Sequence, residues 1–346
     1  MKKSKRILSF LMSLVMMFAM SISSHADSTG EVITLGANLN KQQKQEILNY
    51  FGVDANNPNI IYVNNQQERK YLSGVAPEAQ LGHVTMSSSY VVPTGSGGIN
   101  VKTSNITWVT SSMIASTLAT AGVENANVVA AAPFPVSGTG ALTGIIVAFE
   151  KSSGENLTEE KKQLANKELV TTGNLAEEVG KDKASGIIND AKKEVIQKDM
   201  KDPQQIEKTV QDVANKYNVT LNTGDINVIV NLLKDIGNQN YNYKDMKDTL
   251  DNISANVGYN LKEAGEKIDI DGIFNKAKSF IKNNKEANQF FSQFDDSKLS
   301  NDAVVSTTAS GVDSAEKLAG NSDSTQENQS PSIIDKIVAF FKSIFN

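Results

Sequence analysis

The spacing of apolar residues changes once along the chain. From Glu31 to about residue 152, short runs alternate between the period of a strand and that of a helix, and beyond Leu157 only the helical period recurs. EVITLGANLN predicts a strand running into a helix cap: Asn40 precedes Gln43 by the spacing of a capping box, and Ile47, Leu48 and Phe51 line a face that Gly52 closes. NIIYV predicts a second strand, and NNQQERKYLSG a helix opened by the cap-like pair Asn65 and Glu68. LGHVTMSSSYVVP and INVKTSNITWV flank TGSGG, which predicts a hairpin. TSSMIASTLATAG reads as a helix between Thr110 and Gly122, and ANVVAAA as the last strand. The alternation predicts an α+β domain over residues 27–152, with a mixed sheet and its helices gathered on one face.

The stretch AAPFPVSGTGALTGIIVAF, residues 131–149, ends this half. Leu142, Ile145, Ile146 and Phe149 share one helical face, which favours a helix over the alternative strand. The candidate ligand-binding residues Ser137, Gly138, Thr139 and Gly140 then stand at a helix N-terminus, where free backbone N–H groups and the helix dipole favour an anion. Pro133 and Pro135 stiffen the approach, and Gly138 and Gly140 leave room for a ligand at the mouth of a pocket. No Gly-Lys-Ser/Thr follows, so the loop is not a P-loop, and Pro135 stands where a nucleophile elbow has glycine. Three readings stay open: a serine or threonine cap on a buried helix, a ligand cradle, or Ser137 as a nucleophile with His83 or a lysine as base.

In the second half Thr158 opens a helix with Gly173 and Gly180 as expected breaks, and KASGIINDAKKEVIQK forms the next. Asp202 before Pro203 is a strong start signal, followed by the buried face Ile206, Val210, Val213 and Tyr217. Asn222 and Asp225 open INVIVNLLKDIG, and Met246, Leu250, Ile253, Val257 and Leu261 form an amphipathic stripe. IDGIFNKAKSFIKNN and EANQFFSQF complete an all-α region over 153–294. In KIDIDG, Asp269, Asp271 and Gly272 follow EF-hand order, but Lys267 and Lys278 occupy the first and last ligand positions, so no metal site is expected. A polar stretch over 295–331 predicts a disordered linker. It leads to SIIDKIVAFFKSIFN, residues 332–346, where Ile333, Ile334, Ile337, Val338, Phe341, Ile344 and Phe345 form an apolar docking face. That face has three candidate homes: the chain's own bundle, a membrane surface, or a partner.

Composition narrows the setting. Lys2, Lys3, Lys5 and Arg6 precede an apolar run ending at SSHAD, the pattern of a signal peptide over residues 1–26 with cleavage before Asp27. The leader holds four of the 34 basic residues and none of the 39 acidic ones, so the mature chain is acidic and nucleic acid is not an expected partner. The chain has no cysteine, which excludes disulfides and thiolate chemistry. It has two histidines, His25 in the leader and His83, with no HExxH spacing, so neither a zinc site nor another cofactor is expected.

TLGANLNKQQKQEIL, NNQQERKYLSG, NVKTSNITWVT, ANVVAAAPFPVSGTGALTGI and KELVTTGNLAEEVGKDKA closely resemble the YpuA-like family of secreted proteins of low-GC Gram-positive bacteria. The resemblance covers residues 31–199 well. It implies export and an α+β-plus-helices layout, and carries no activity, because the family's domain has no assigned function. The expectation is a secreted, non-catalytic protein that binds an envelope component or a protein partner. Its alternatives are a hydrolase or transferase using Ser137, and a membrane-active factor acting through its C-terminal helix.

Overall fold

A computed structural model describes residues 30–72, 82–266, 285–300 and 303–309. The leader, the EF-hand-like stretch and the C-terminal amphipathic segment lie outside the described residues. Six strands, β1 (Val32–Gly36), β2 (Ile60–Val63), β3 (Ser88–Pro93), β4 (Ile99–Ile106), β5 (Ala126–Val136) and β6 (Val305–Thr307), form one mixed sheet in the order β2-β1-β3-β5-β4-β6. The helices are α1 (Lys41–Phe51), α2 (Asn65–Leu72), α3 (Ser111–Ala121), α4 (Thr139–Ser153), α5 (Glu159–Val179), α6 (Lys181–Gln197), α7 (Pro203–Lys216), α8 (Thr223–Gly237) and α9 (Tyr243–Glu263). The expected α+β class holds: a mixed sheet with helices comes first, and a helical region follows.

The expected hairpin is absent, because β5 lies between β3 and β4, antiparallel to the first and parallel to the second. Val128, Val129, Ala130 and Ala131 of β5 are fully buried, so its backbone groups need a neighbouring strand on each side. Asn125 ties the crossing loop: its carbonyl accepts from Thr94 N at 3.2 Å and its Oδ1 from Gly98 N at 2.8 Å.

Helices cover both faces of the sheet, not one. Val32, Val91, Ile99, Val101, Val128 and Ala130 face α3 and α4, and this cluster continues into α5–α9. The alternate positions Ile33, Leu35, Val129 and Ala131 face α1 together with Phe291 and Phe294. Strand residues alternate between faces, so a strand apolar at every position is buried on both. One cluster therefore crosses the expected boundary at residue 152, although Gly154 does close α4 there with φ +73°. The expected linker is also corrected in its first part, since residues 296–298 form a 3₁₀ turn and β6 pairs antiparallel with β4.

Local signals place most helix ends. Asn40 and Gln43 form the capping box of α1, and Thr158, Asp202 and Asn222 cap α5, α7 and α8. The α2 cap falls one residue earlier than expected, on Asn64, whose side chain and backbone exchange hydrogen bonds with Gln67. Gly173 does not break α5. A Cβ there would lie 2.2 Å from Trp108 Cζ2, so the glycine lets the indole pack against the helix. The α9 stripe Met246, Leu250, Ile253, Val257 and Leu261 is buried throughout. Each such side chain contributes about 1.5–3 kcal/mol of gross hydrophobic stabilisation before conformational entropy is deducted.

Candidate functional site

The Ser137–Gly140 loop is built by the end of β5 and the start of α4. Beyond a bulge at Asn105 (φ 60°), Ile106 pairs with Val136, and the Ser137 carbonyl accepts from Trp108 N and Val109 N at 3.1 and 3.2 Å. Gly138, at φ +93°, is the N-cap of α4 and provides no side-chain cap. Gly138, Thr139 and Gly140 are buried and Ser137 is half-buried, which corrects the expected exposed loop at a pocket mouth. Sequence reasoning treated Glu68 only as a cap residue, yet its carboxyl group lies against Thr139 and Gly140 of this loop.

Glu68 is 2% exposed. Its Oε1 accepts from Thr139 Oγ1 at 2.7 Å, and its Oε2 accepts from Asn65 Nδ2 at 3.2 Å and Thr85 Oγ1 at 3.4 Å. A Cβ on Gly140 would lie 3.0 Å from Oε2, so this glycine lets the carboxyl group settle against the first turn of α4. A negative group is favoured there by the helix dipole. Burial nevertheless raises the Glu68 pKa above its ordinary 4.5, against the hydrogen bonds from Thr139, Asn65 and Thr85 that lower it.

In the pH window just above 4.5 the unfolded chain releases this proton before the folded chain does, so Glu68 makes stability fall as pH rises. Glu68→Gln removes that slope and keeps an acceptor for Thr139. We expect the variant to show a flatter pH profile in urea unfolding than the wild type. A steeper loss of stability above pH 5 in the variant would refute this account.

For the alternative of Ser137 as a nucleophile, no hydrogen bond among the described residues joins Ser137 to a histidine or lysine. Among the described residues, the Ser137 hydroxyl has one hydrogen-bond contact, Thr139 Oγ1 at 3.5 Å. His83 is exposed, and its Nδ1 lies 3.5 Å from an Arg69 guanidinium nitrogen. No group of three or more His, Asp or Glu among the described residues could hold a metal ion.

A second place has the form of a ligand site. The end of α2, the first turns of α5 and the end of α8 enclose a cleft of about 560 Å³. Lys70, Tyr71, Glu160, Gln163, Leu164, Lys167 and Asp235 line it, with Asn238 and Gln239 at the α8 end. Lys167 pairs with Asp235 at 2.7 Å, and Lys70 with Glu159 at 3.1 Å. Lys70 Nζ also donates to Tyr71 Oη at 3.2 Å and stands 4.8 Å from the ring centroid. These pairs are substantially exposed, so each is worth at most about 1 kcal/mol and can be exchanged for ligand contacts. Sequence reasoning missed this cleft because its walls come from three segments whose proximity no local pattern reveals.

The most deeply buried charges among the described residues lie elsewhere. Lys192 of α6 and Glu168 of α5 are both fully buried and 2.8 Å apart. Ser116 and Thr120 of α3 complete the cluster. Burial lowers the Lys192 pKa against the pull of Glu168. Closely packed oxygens surround the ammonium, so this cluster is a joint between three helices.

The chain matches the model of the family described as "Protein of unknown function (DUF1002)" over residues 35–253. It is 40% identical over 222 residues to "Uncharacterized protein YpuA" of Bacillus subtilis (strain 168), which covers 64% of this chain and 76% of that protein. No solved structure matches the chain. The family match runs from the end of β1 into α9 and so includes Glu68, the Ser137–Gly140 loop, the cleft and the buried ion pair. The chain therefore belongs to the DUF1002 family of proteins of unknown function.

Proposed function

We propose that this chain is an exported, non-catalytic binding protein of the cell envelope or exterior, and that its ligand occupies the α2–α5–α8 cleft. The observation that carries this reading is the cleft: its volume of about 560 Å³ suits a small ligand or part of a polymer. Its wall combines one aromatic ring with ammonium, carboxylate and carboxamide groups, which suits a polar ligand rich in hydroxyl, amide or charged groups. The basic, apolar and small-residue pattern of residues 1–26 supports export. No helix among the described residues is long and apolar enough to cross a membrane.

The test is to incubate the mature protein with washed cell-wall, membrane and culture-supernatant fractions. Retention on wall or membrane material is expected, and Tyr71→Ala with Lys167→Ala should weaken it about tenfold or more, roughly 1.4 kcal/mol. Retention unchanged by both substitutions would overturn the cleft as the site, and recovery of all protein free in the supernatant would overturn envelope binding. N-terminal sequencing of exported protein should begin at Asp27; a chain that still starts at Met1 and pellets with membranes would overturn cleavage and release. Deleting residues 332–346 should reduce retention on the membrane fraction alone if the apolar face of that segment makes peripheral contact.

A further inference from the structure

The sheet face opposite α3 and α4 is covered by α1 together with Ala287, Phe291 and Phe294. Lys102 projects from β4 into this face, and its side chain is 9% exposed. A charge so far removed from water requires a partner. Asp296 Oδ2 provides it at 2.8 Å, and the Phe294 carbonyl accepts a further hydrogen bond at 2.8 Å. Ser104 Oγ and Tyr50 Oη converge on the other carboxylate oxygen of Asp296, at 2.5 and 2.9 Å. Three side chains from β4 and α1 thus hold one carboxylate.

Aromatic rings surround this polar centre. The Phe294 ring lies 5.4 Å from Tyr90, 5.9 Å from Tyr50 and 6.3 Å from Phe51, and Phe290 lies 6.1 Å from Tyr90. Beyond it, β6 pairs with β4 through three residues, Lys102–Thr307, Thr103–Ser306 and Ser104–Val305. The occupant comes from residues 285–300 and 303–309, all of which lie beyond the family match, which ends at residue 253. A buried ion pair adds little net stability compared with apolar packing, and its best-attested use is to set register and partner choice.

We propose that this groove is a recognition site for an aromatic–acidic segment of pattern Phe-Phe-x-x-Phe-x-Asp, filled in cis by residues 290–296 and able to take the same segment from a second copy of the chain. Eighteen residues, 267–284, separate Glu266 from the donor, a length of chain that bounds its reach at about 60 Å. Exchange between copies preserves every contact in the groove, so it costs little beyond the entropy of association.

The test uses the full chain. Phe294→Ala weakens the resident segment and leaves the groove residues untouched. A synthetic peptide of residues 285–309 should bind this variant about tenfold or more tighter than it binds the wild-type chain, and an Asp296→Asn peptide should bind it at least tenfold weaker. If Phe294→Ala is poorly folded, the wild-type peptide should raise its melting temperature and the Asp296→Asn peptide should not. Absence of both saturable binding and thermal rescue at about 100 µM peptide would overturn the site. A mixture of Phe294→Ala and Lys102→Met chains offers one intact groove and one intact donor, and light scattering should find a dimer in the mixture that neither chain forms alone. A mixture that stays at monomer mass would overturn donation in trans.

Discussion

Lys192→Met should cost about 3–5 kcal/mol, because it leaves the buried Glu168 carboxyl group without its partner. That is a large part of a typical domain stability of roughly 5–15 kcal/mol. Lys192 Nζ donates to the Ser116 carbonyl at 2.7 Å and contacts Ser116 Oγ, Glu168 Oε1 and Thr120 Oγ1 at 2.8–2.9 Å. Ser116 Oγ and Thr120 Oγ1 in turn donate to the two Glu168 oxygens at 2.6 and 2.5 Å, and Tyr241 Oη donates to the Thr120 carbonyl at 2.6 Å. Removing one member thus disturbs groups on α3, α5 and α6 together. The double variant Lys192→Met with Glu168→Leu removes both charges and should recover much of the loss. Urea unfolding at pH 7 measures each variant; a single variant within about 1 kcal/mol of wild type would show that the joint tolerates an unpaired carboxyl group.

Gly138→Ala should also be strongly destabilising, for two independent reasons. At φ +93° an L side chain is strained by about 1–3 kcal/mol, and the new Cβ would lie 2.2 Å from Ile106 Cγ2, an overpacking cost of about 1–3 kcal/mol more. Ile106 is held by its pairing with Val136, so it cannot simply move aside. A double-mutant cycle with Ile106→Ala separates the terms. The clash should disappear in the double variant while the backbone strain remains, which makes the two substitutions non-additive. Additive losses would mean that Ile106 already yields to the new methyl group.

The two predictions differ in how visible their residues are in the sequence. Lys192 follows Ile188 by four residues and precedes Val195 by three, and Glu168 follows Leu164 by four, so both charges sit on apolar helix faces. That misplacement was readable, although the identity of the partner was not. Lys102 was similarly conspicuous as the lone charge in INVKTSNI, whereas Asp296 lies in FDDSK, where nothing local separates it from Asp295. Gly138 was identified as special, but for the wrong neighbour: the space it leaves holds Ile106, and the Glu68 carboxyl group lies against the adjacent Thr139 and Gly140.

The sequence by itself determined the local structure. Caps at Asn40, Thr158, Asp202 and Asn222, the stop at Gly52, the helix through Leu142 to Phe149 and the α9 stripe all follow from interactions within a few residues, which the order of side chains specifies directly. Tertiary structure alone decided which strands are neighbours, that both sheet faces are covered, and that Val305–Thr307 return to complete the sheet. It also decided which groups meet at Glu68, Lys102 and Lys192. Those pairings join residues from 24 to 194 positions apart, and burial selects them by what remains after every apolar face is covered and every buried polar group has a partner.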